Sequence, residues 1–251
     1  MAVAVVISGA GGKLAAPITA AVAAAQDLDL VGLYNPNRAG STLNGVEVSG
    51  DPASLAADVV VETAHLEHVF ANLETWKGSG MSAVVGTSGF TEDRLERLKE
   101  LWGATGPPCL VVPNFSIGAT LMMEFTRTAA KYFDAVEIIE RHHSTKPDSP
   151  SGTSLATAMG VAGGGGSSAE GSEELVAGAR GADVSGVRVH SLRLPGLIAQ
   201  QEVAMSNTGE VLSVEHLSTS YDSFASGALL AIRRIGELDP GVHLGLAALL
   251  E

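Results

Sequence analysis

The sequence predicts an α/β chain: an N-terminal doubly wound parallel sheet, then a C-terminal α+β part with an open mixed or antiparallel sheet. Three observations predict it. Short β-rich runs alternate with helical segments as far as residue 113, the repeat that builds a parallel sheet. The first run ends in a glycine-rich turn, Ser8-Gly-Ala-Gly-Gly-Lys-Leu-Ala15. Beyond residue 150 the β-rich runs follow one another closely, which reads as a second, distinct sheet.

In the first part the strand candidates are Val3–Ile7, Leu28–Tyr34, Asp58–Glu62, Ala83–Gly86 and Leu110–Pro113. They are apolar on both faces, as strands buried between helices must be. Between them, Thr91–Trp102 reads as a helix. Thr91 is placed to cap it, Glu92 and Asp93 suit its first turn, and Leu95, Leu98 and Trp102 share a face. Ile117–Tyr132 reads as a helix, Ala135–His142 as a strand and Ser151–Val161 as a helix. Gly163–Ser172 is rich in Gly, Ser and acid and reads as a mobile loop. Strand candidates Val187–Leu194, Gln200–Ser206 and Val211–His216 follow, and Ser223–Ile235 is a last helix returning to the first domain. The expected division is therefore residues 1–113 with 221–251 as one domain and 114–220 as a second.

Composition narrows the function. With 251 residues, 45% hydrophobic and 17% charged, the chain is globular with room for a core. A formal net charge of -13 argues against nucleic acid or an acidic membrane surface as partner. It also means that an anionic substrate needs a locally positive site, and there are only five lysines to supply one, Lys146 among them. Cys109 is the only cysteine, so an internal disulfide and a Cys-based zinc site are excluded. The N-terminus lacks the basic front of a signal peptide, and no apolar run reaches the length of a membrane span. The expectation is a soluble, cytoplasmic protein.

The glycine-rich turn after the first strand suits a pyrophosphate seated on a helix N-terminus, as in a Rossmann-type fold. Gly9 and Gly12 fit the spacing, with Ala10, Lys13 and Leu14 between and after them, and Ala15 stands at the third glycine position. An ordinary strand–helix turn is the competing reading. The second strand ends in Tyr34-Asn35-Pro-Asn-Arg38 where an acid would favour NAD. Asn35 can still hydrogen-bond a ribose, and Arg38 is either a partner for a 2′-phosphate, which favours NADPH over NADH, or a solvated loop residue. Gly86-Thr87-Ser88-Gly89 ends another strand, where ligands gather in such sheets, unless it is only a tight turn.

The densest chemistry lies in Glu140-Arg-His-His-Ser-Thr-Lys-Pro-Asp-Ser-Pro-Ser-Gly-Thr153. His142 and His143 are adjacent, so at a strand end they point to opposite sides and do not chelate one metal. No metal site is expected. Histidine titrates near neutrality and suits proton transfer. Ser151, Gly152 and Thr153 open a helix, where N–H groups and hydroxyls can hold a carboxylate. Ser151 could equally be only a cap, and Asp148 a cap or turn residue.

These residues resemble the 4-hydroxy-tetrahydrodipicolinate reductase (dihydrodipicolinate reductase) family of bacterial lysine biosynthesis. The resemblance runs nearly end to end. It includes Gly9–Lys13, Val85–Phe90, Val112–Gly118, Glu140–Thr153, His190–Arg193, Gln201–Val203, Gly209-Glu210, His216 and Phe224–Ala228. It implies a homotetramer that uses NADH or NADPH on a small cyclic dicarboxylate, from which water is lost and to whose C4 a hydride is delivered. It implies His142 as general acid and Lys146 as the group that assists proton transfer and attracts substrate. His143 with Ser151, Gly152 and Thr153 would grip carboxylates. Gly86, Thr87 and Ser88 with Val112, Pro113, Asn114 and Phe115 would line the nicotinamide end. The chain departs from the family pattern at Tyr221, where arginine is usual, at Glu62-Thr63-Ala64 in place of Asp-Phe-Thr, at Asn35 and at Ala15. All four departures fall on the cofactor side or at the domain hinge. Two alternatives stand beside this reading: the same fold acting on another cyclic imine or dicarboxylate, and a non-catalytic nucleotide-binding protein.

Overall fold

The structure is a computed structural model describing residues 2–163 and 173–250; the Gly163–Ser172 loop expectation falls, beyond Gly163, outside the described residues. The chain divides into two units, residues 1–117 with 221–251 and residues 118–220.

The first unit is built on β1 (Val3–Ser8), α1 (Ala15–Ala24), β2 (Leu28–Tyr34), the short hairpin β3 (Thr42–Leu43) and β4 (Val46–Ser49), β5 (Val59–Glu62), α2 (Leu66–Gly78), β6 (Ser82–Val85), α3 (Glu92–Trp102) and β7 (Pro108–Val111). In the second unit follow α4 (Ile117–Ala129), extended to Tyr132 by a 3₁₀ turn, β8 (Ala135–His142), α5 (Gly152–Val161), β9 (Ala182–Val184), β10 (Val187–Arg193), β11 (Ala199–Asn207) and β12 (Glu210–Ser218). Then α6 (Ser223–Arg234) and β13 (Gly241–Leu244) rejoin the first unit.

The first sheet has the order β13-β7-β6-β5-β1-β2-β4-β3, parallel apart from the β3–β4 hairpin. Apolar side chains leave both faces of its central strands: Val5 and Ile7 join one core cluster, and Val6 joins the other with Trp76 and Trp102. Strand order reverses between β1 and β5, and it is beyond the carboxyl ends of such a pair that open parallel sheets bind ligands.

The second sheet has the order β12-β11-β8-β10-β9. It is mixed: β8 pairs with β10 in parallel and with β11 antiparallel. Along β8, Val136 and Ile138 are buried in the core beside Met122, Ala158 and Val203. The same face then turns polar at Glu140 and His142, since side chains two apart share a face.

Several local expectations are corrected. Thr91 stands at the α3 N-cap but its side chain makes no capping hydrogen bond, and the cap adds nothing beyond Glu92 and Asp93. The last strand of the first part runs Pro108–Val111 instead of reaching Pro113, because register with β6 ends at Val85↔Val111. The β3–β4 hairpin and β13 were not expected from the sequence. Both are edge elements, two to four residues long, too short to show a period.

Candidate active site

In the first unit the glycine loop leaves β1 through Gly9 at φ +80 and Gly11 at φ +79, conformations that L side chains rarely adopt. A Cβ on Gly9 would lie 2.7 Å from the Thr63 hydroxyl. The β1 and β5 loops are therefore packed backbone to backbone. Asn35 Nδ2 donates to the Ala10 carbonyl at 2.8 Å, and Asn35 Oδ1 accepts from Asn37 N at 3.0 Å. Asn35 thus ties the glycine loop to the end of β2. Arg38, exposed, lies over the loop: a Cβ on Gly11 would come within 2.9 Å of its Nε. These residues and Thr63, Ala64 and His65 border a cleft of about 540 Å³. A positive-φ glycine loop at the switch point suits a dinucleotide pyrophosphate, and the exposed arginine beside it is a cation for a further phosphate.

The further loops sit beside it. Gly86 is needed where it stands, because a Cβ there would overlap the Phe115 ring and lie 3.2 Å from Leu14. Thr87 Oγ1 donates to the Ala64 carbonyl at 2.8 Å. Val112 and Phe115 are buried, Ser88, Pro113 and Lys13 are exposed, and Asn114 Oδ1 accepts from Ser116 N at 2.8 Å. The structure thus brings together Leu14, Gly86 and Phe115, and separately joins Thr87 to Ala64.

Behind these loops lies Glu62, which is fully buried. Its oxygens accept from Ala64 N at 2.8 Å and from Trp76 Nε1 at 2.9 Å. Burial pushes its carboxyl above the ordinary value, against the lowering effect of those donors.

In the second unit, Glu140 is also fully buried. Its Oε2 meets His142 Nδ1 and its Oε1 lies 2.9 Å from Arg193 Nη1. Burial alone would raise the carboxyl; the hydrogen bonds from His142, Ser191 and Arg193 outweigh it and hold it below the ordinary value. Parallel register sets Ser191 opposite Glu140 and Arg193 opposite His142. Arg193 Nη2 also donates to the Asp148 carbonyl at 2.5 Å. The Asp148 carboxylate accepts from Lys146 Nζ at 2.7 and 2.8 Å. His143 Nδ1 lies 2.9 Å from the Thr145 hydroxyl.

Ser151 is the N-cap of α5: its hydroxyl accepts from Ser154 N at 3.2 Å, and it is buried. Gly152 and Thr153 are the first residues of the helix, and among the described residues nothing approaches the Cβ side of Gly152 within 4 Å. Gln201 on β11 anchors the helix from below. Its Oε1 accepts from Ser154 Oγ at 2.7 Å and its Nε2 donates to Thr157 Oγ1 at 2.8 Å. Glu140, Arg193 and Gln201 stand in stretches that carry the resemblance, but the sequence reading gave them no role. The signal for Glu140 was present: it stands two residues before His142 on a strand, hence on the same face. Among the described residues, no group of three His, Cys, Asp or Glu side chains could hold a metal ion, and no helix is long and apolar enough to cross a membrane.

Comparison with known proteins covers both units. A family model described as the N-terminus of dihydrodipicolinate reductase matches residues 3–115, and one described as its C-terminus matches residues 118–250. A 4-hydroxy-tetrahydrodipicolinate reductase of Mycolicibacterium vanbaalenii is 43% identical over 253 residues, 98% of each chain. One from Streptococcus pneumoniae is 43% identical over 241 residues, 94% of each chain. A dipicolinate-bound dihydrodipicolinate reductase from Paenisporosarcina sp. TG-14 superposes with TM-score 0.87 at 32% identity, covering both chains fully.

Proposed function

The chain belongs to the dihydrodipicolinate reductase family, and from that premise we propose that it reduces 4-hydroxy-tetrahydrodipicolinate to tetrahydrodipicolinate, with loss of water, in lysine and diaminopimelate biosynthesis. It is a nicotinamide-dependent oxidoreductase. The observation that carries the reading is in the second unit. An imidazole backed by a buried carboxylate is joined through Arg193 to the loop that carries Lys146, and that loop leads in sequence to the N-terminus of α5.

The bound nucleotide supplies the hydride. The residues of this chain do the rest. Gly9, Ala10, Gly12, Lys13 and Leu14 cradle its phosphates, and Asn35 and Arg38 meet the adenosine ribose. Gly86, Thr87 and Ser88 with Val112, Pro113, Asn114 and Phe115 line the nicotinamide end. His142 donates a proton as general acid. Lys146 exchanges the Asp148 carboxylate for one of the substrate's, and Gly152 and Thr153 offer N–H groups to the other, with His143 and Ser151 completing the grip.

NADPH is favoured over NADH, because Arg38 is the cation placed over the glycine loop. Arg38→Ala is expected to weaken NADPH about tenfold, as loss of a charge-assisted hydrogen bond does, and to leave NADH affinity unchanged; titration of nucleotide fluorescence reads both. The working form is a homotetramer assembled through the second sheet. Its edge strand β12 exposes Val211, Leu212 and Leu217, apolar groups that an unpartnered edge would not carry.

The test is oxidation of NADPH and of NADH by the purified protein with freshly made 4-hydroxy-tetrahydrodipicolinate. Substrate-dependent loss of absorbance, faster with NADPH, is expected. Nucleotide binding without oxidation would overturn the substrate assignment.

A further inference from the structure

We propose that Glu140 is the positioning residue of this site, holding Nδ1 of His142 with one carboxylate oxygen and, with the other, the arginine whose fork also holds the segment carrying Lys146. The proposal rests on the reading of His142 as the general acid.

The geometry leaves the carboxylate little other use. Glu140 is fully buried at the end of an apolar strand face. A hydrophobic side chain in its place would stabilise the fold as well or better, since burying an ion pair rarely repays its desolvation. What the carboxylate adds is direction. An ionised carboxylate only accepts hydrogen bonds, so the imidazole proton facing it sits on Nδ1. The ring is then fixed, and Nε2 is the nitrogen left to exchange a proton with substrate. The Glu140 carboxyl, held below its ordinary value and so favoured as the carboxylate, agrees with this.

Arg193 makes the arrangement two-ended. Its Nη1 lies 2.9 Å from Glu140, and its Nη2 donates to the Asp148 carbonyl at 2.5 Å. Asp148 in turn carries Lys146 on its carboxylate. One planar fork thus joins the strand that bears the acid to the loop that bears the lysine. Lysine has no such fork and could hold only one of the two. Around Glu140, the titratable or charged groups in contact are His142 on its own strand and Arg193 on β10; Ser191 and Gln201 are its neutral cross-strand neighbours.

The test combines rate, binding and histidine ¹⁵N NMR on the full-length protein. Glu140→Gln is expected to lower kcat about tenfold to a hundredfold, the usual effect of losing a partner that orients a functional histidine. Substrate KM and NADPH affinity should stay within about threefold, and the His142 ring should pass from a single Nδ1–H form to a mixture of tautomers. Glu140→Asp, which keeps the charge, should recover part of the rate. Arg193→Lys should mainly raise KM, by loosening the Lys146 segment, and it tests the other end should Glu140→Gln not fold. In a His142→Gln background, Glu140→Gln should cost nothing further. Full activity and an unchanged His142 tautomer in Glu140→Gln would overturn the proposal, as would an undiminished loss in the His142→Gln background. Full activity of His142→Gln itself would sink the general-acid reading on which the proposal stands.

Discussion

Glu62 and Glu140 occupy corresponding places in two different sheets. Each lies at or near the carboxyl end of a central strand, each is fully buried, and each holds a loop that the sequence marks as functional. Their surroundings differ in one respect. Glu62 is met by neutral donors, an indole and a backbone N–H, and burial drives its carboxyl up. Glu140 is met by an imidazole and a guanidinium, and those bonds overcome burial and drive it down. The same residue type therefore clamps the loop after β5 and accepts a hydrogen bond beneath His142, the proposed acid. The donors around each carboxyl oppose burial in both cases and outweigh it only at Glu140.

That contrast sets the order of expected effects. The largest is His142→Gln, which should lower kcat by about a hundredfold or more, as loss of a general acid does, with nucleotide binding unchanged. Next, Arg193→Met strips one cationic partner from Glu140 and should cost about 3–5 kcal/mol of unfolding free energy, read in urea. At the other glutamate, Trp76→Phe removes one neutral donor and should cost only about 1–3 kcal/mol. Equal losses at the two sites would erase the distinction.

The smallest effect is in the pH dependence of stability. Because the Glu140 carboxyl is lowered on folding, its stabilisation is present above the unfolded carboxylate value, about 4.3. It is lost as pH falls through the lower folded value. Glu62 is raised, so its contribution is present below about 4.3 and is lost as pH rises through the higher folded value. Unfolding curves of Glu140→Gln should lack part of the acid-side decline, and those of Glu62→Gln part of the decline above that value. The same change in both variants would contradict the assignment of opposite shifts.

The two sites also differ in how far the sequence reveals them. The parallel sheet, the glycine loop and the helix opening at Ser151 follow from local signals: apolar strands, turn residues and a cap. Glu140 beside His142 is also local in principle, as a same-face pair on one strand. Arg193 is not. It comes 51 residues after His142 in number and arrives beside it only through the β8–β10 register, which nothing within either strand specifies. Gln201 reaches Ser154 in the same way, across β11 and α5. The β3–β4 hairpin and β13 escape for a different reason: short edge strands carry too few residues to show alternation. Asn35 is legible as a polar group at the carboxyl end of β2, but its bond to the Ala10 carbonyl depends on where the glycine loop folds back.

The most direct measurement follows the label from reduced nicotinamide bearing deuterium at C4 into the product, by mass spectrometry, with 4-hydroxy-tetrahydrodipicolinate as substrate. Transfer of a single deuterium to tetrahydrodipicolinate, slowed in His142→Gln in step with its kcat, is the expected result. Nucleotide oxidation that leaves the cyclic dicarboxylate unlabelled, or no oxidation by a protein that still binds the nucleotide, would contradict the assigned reaction.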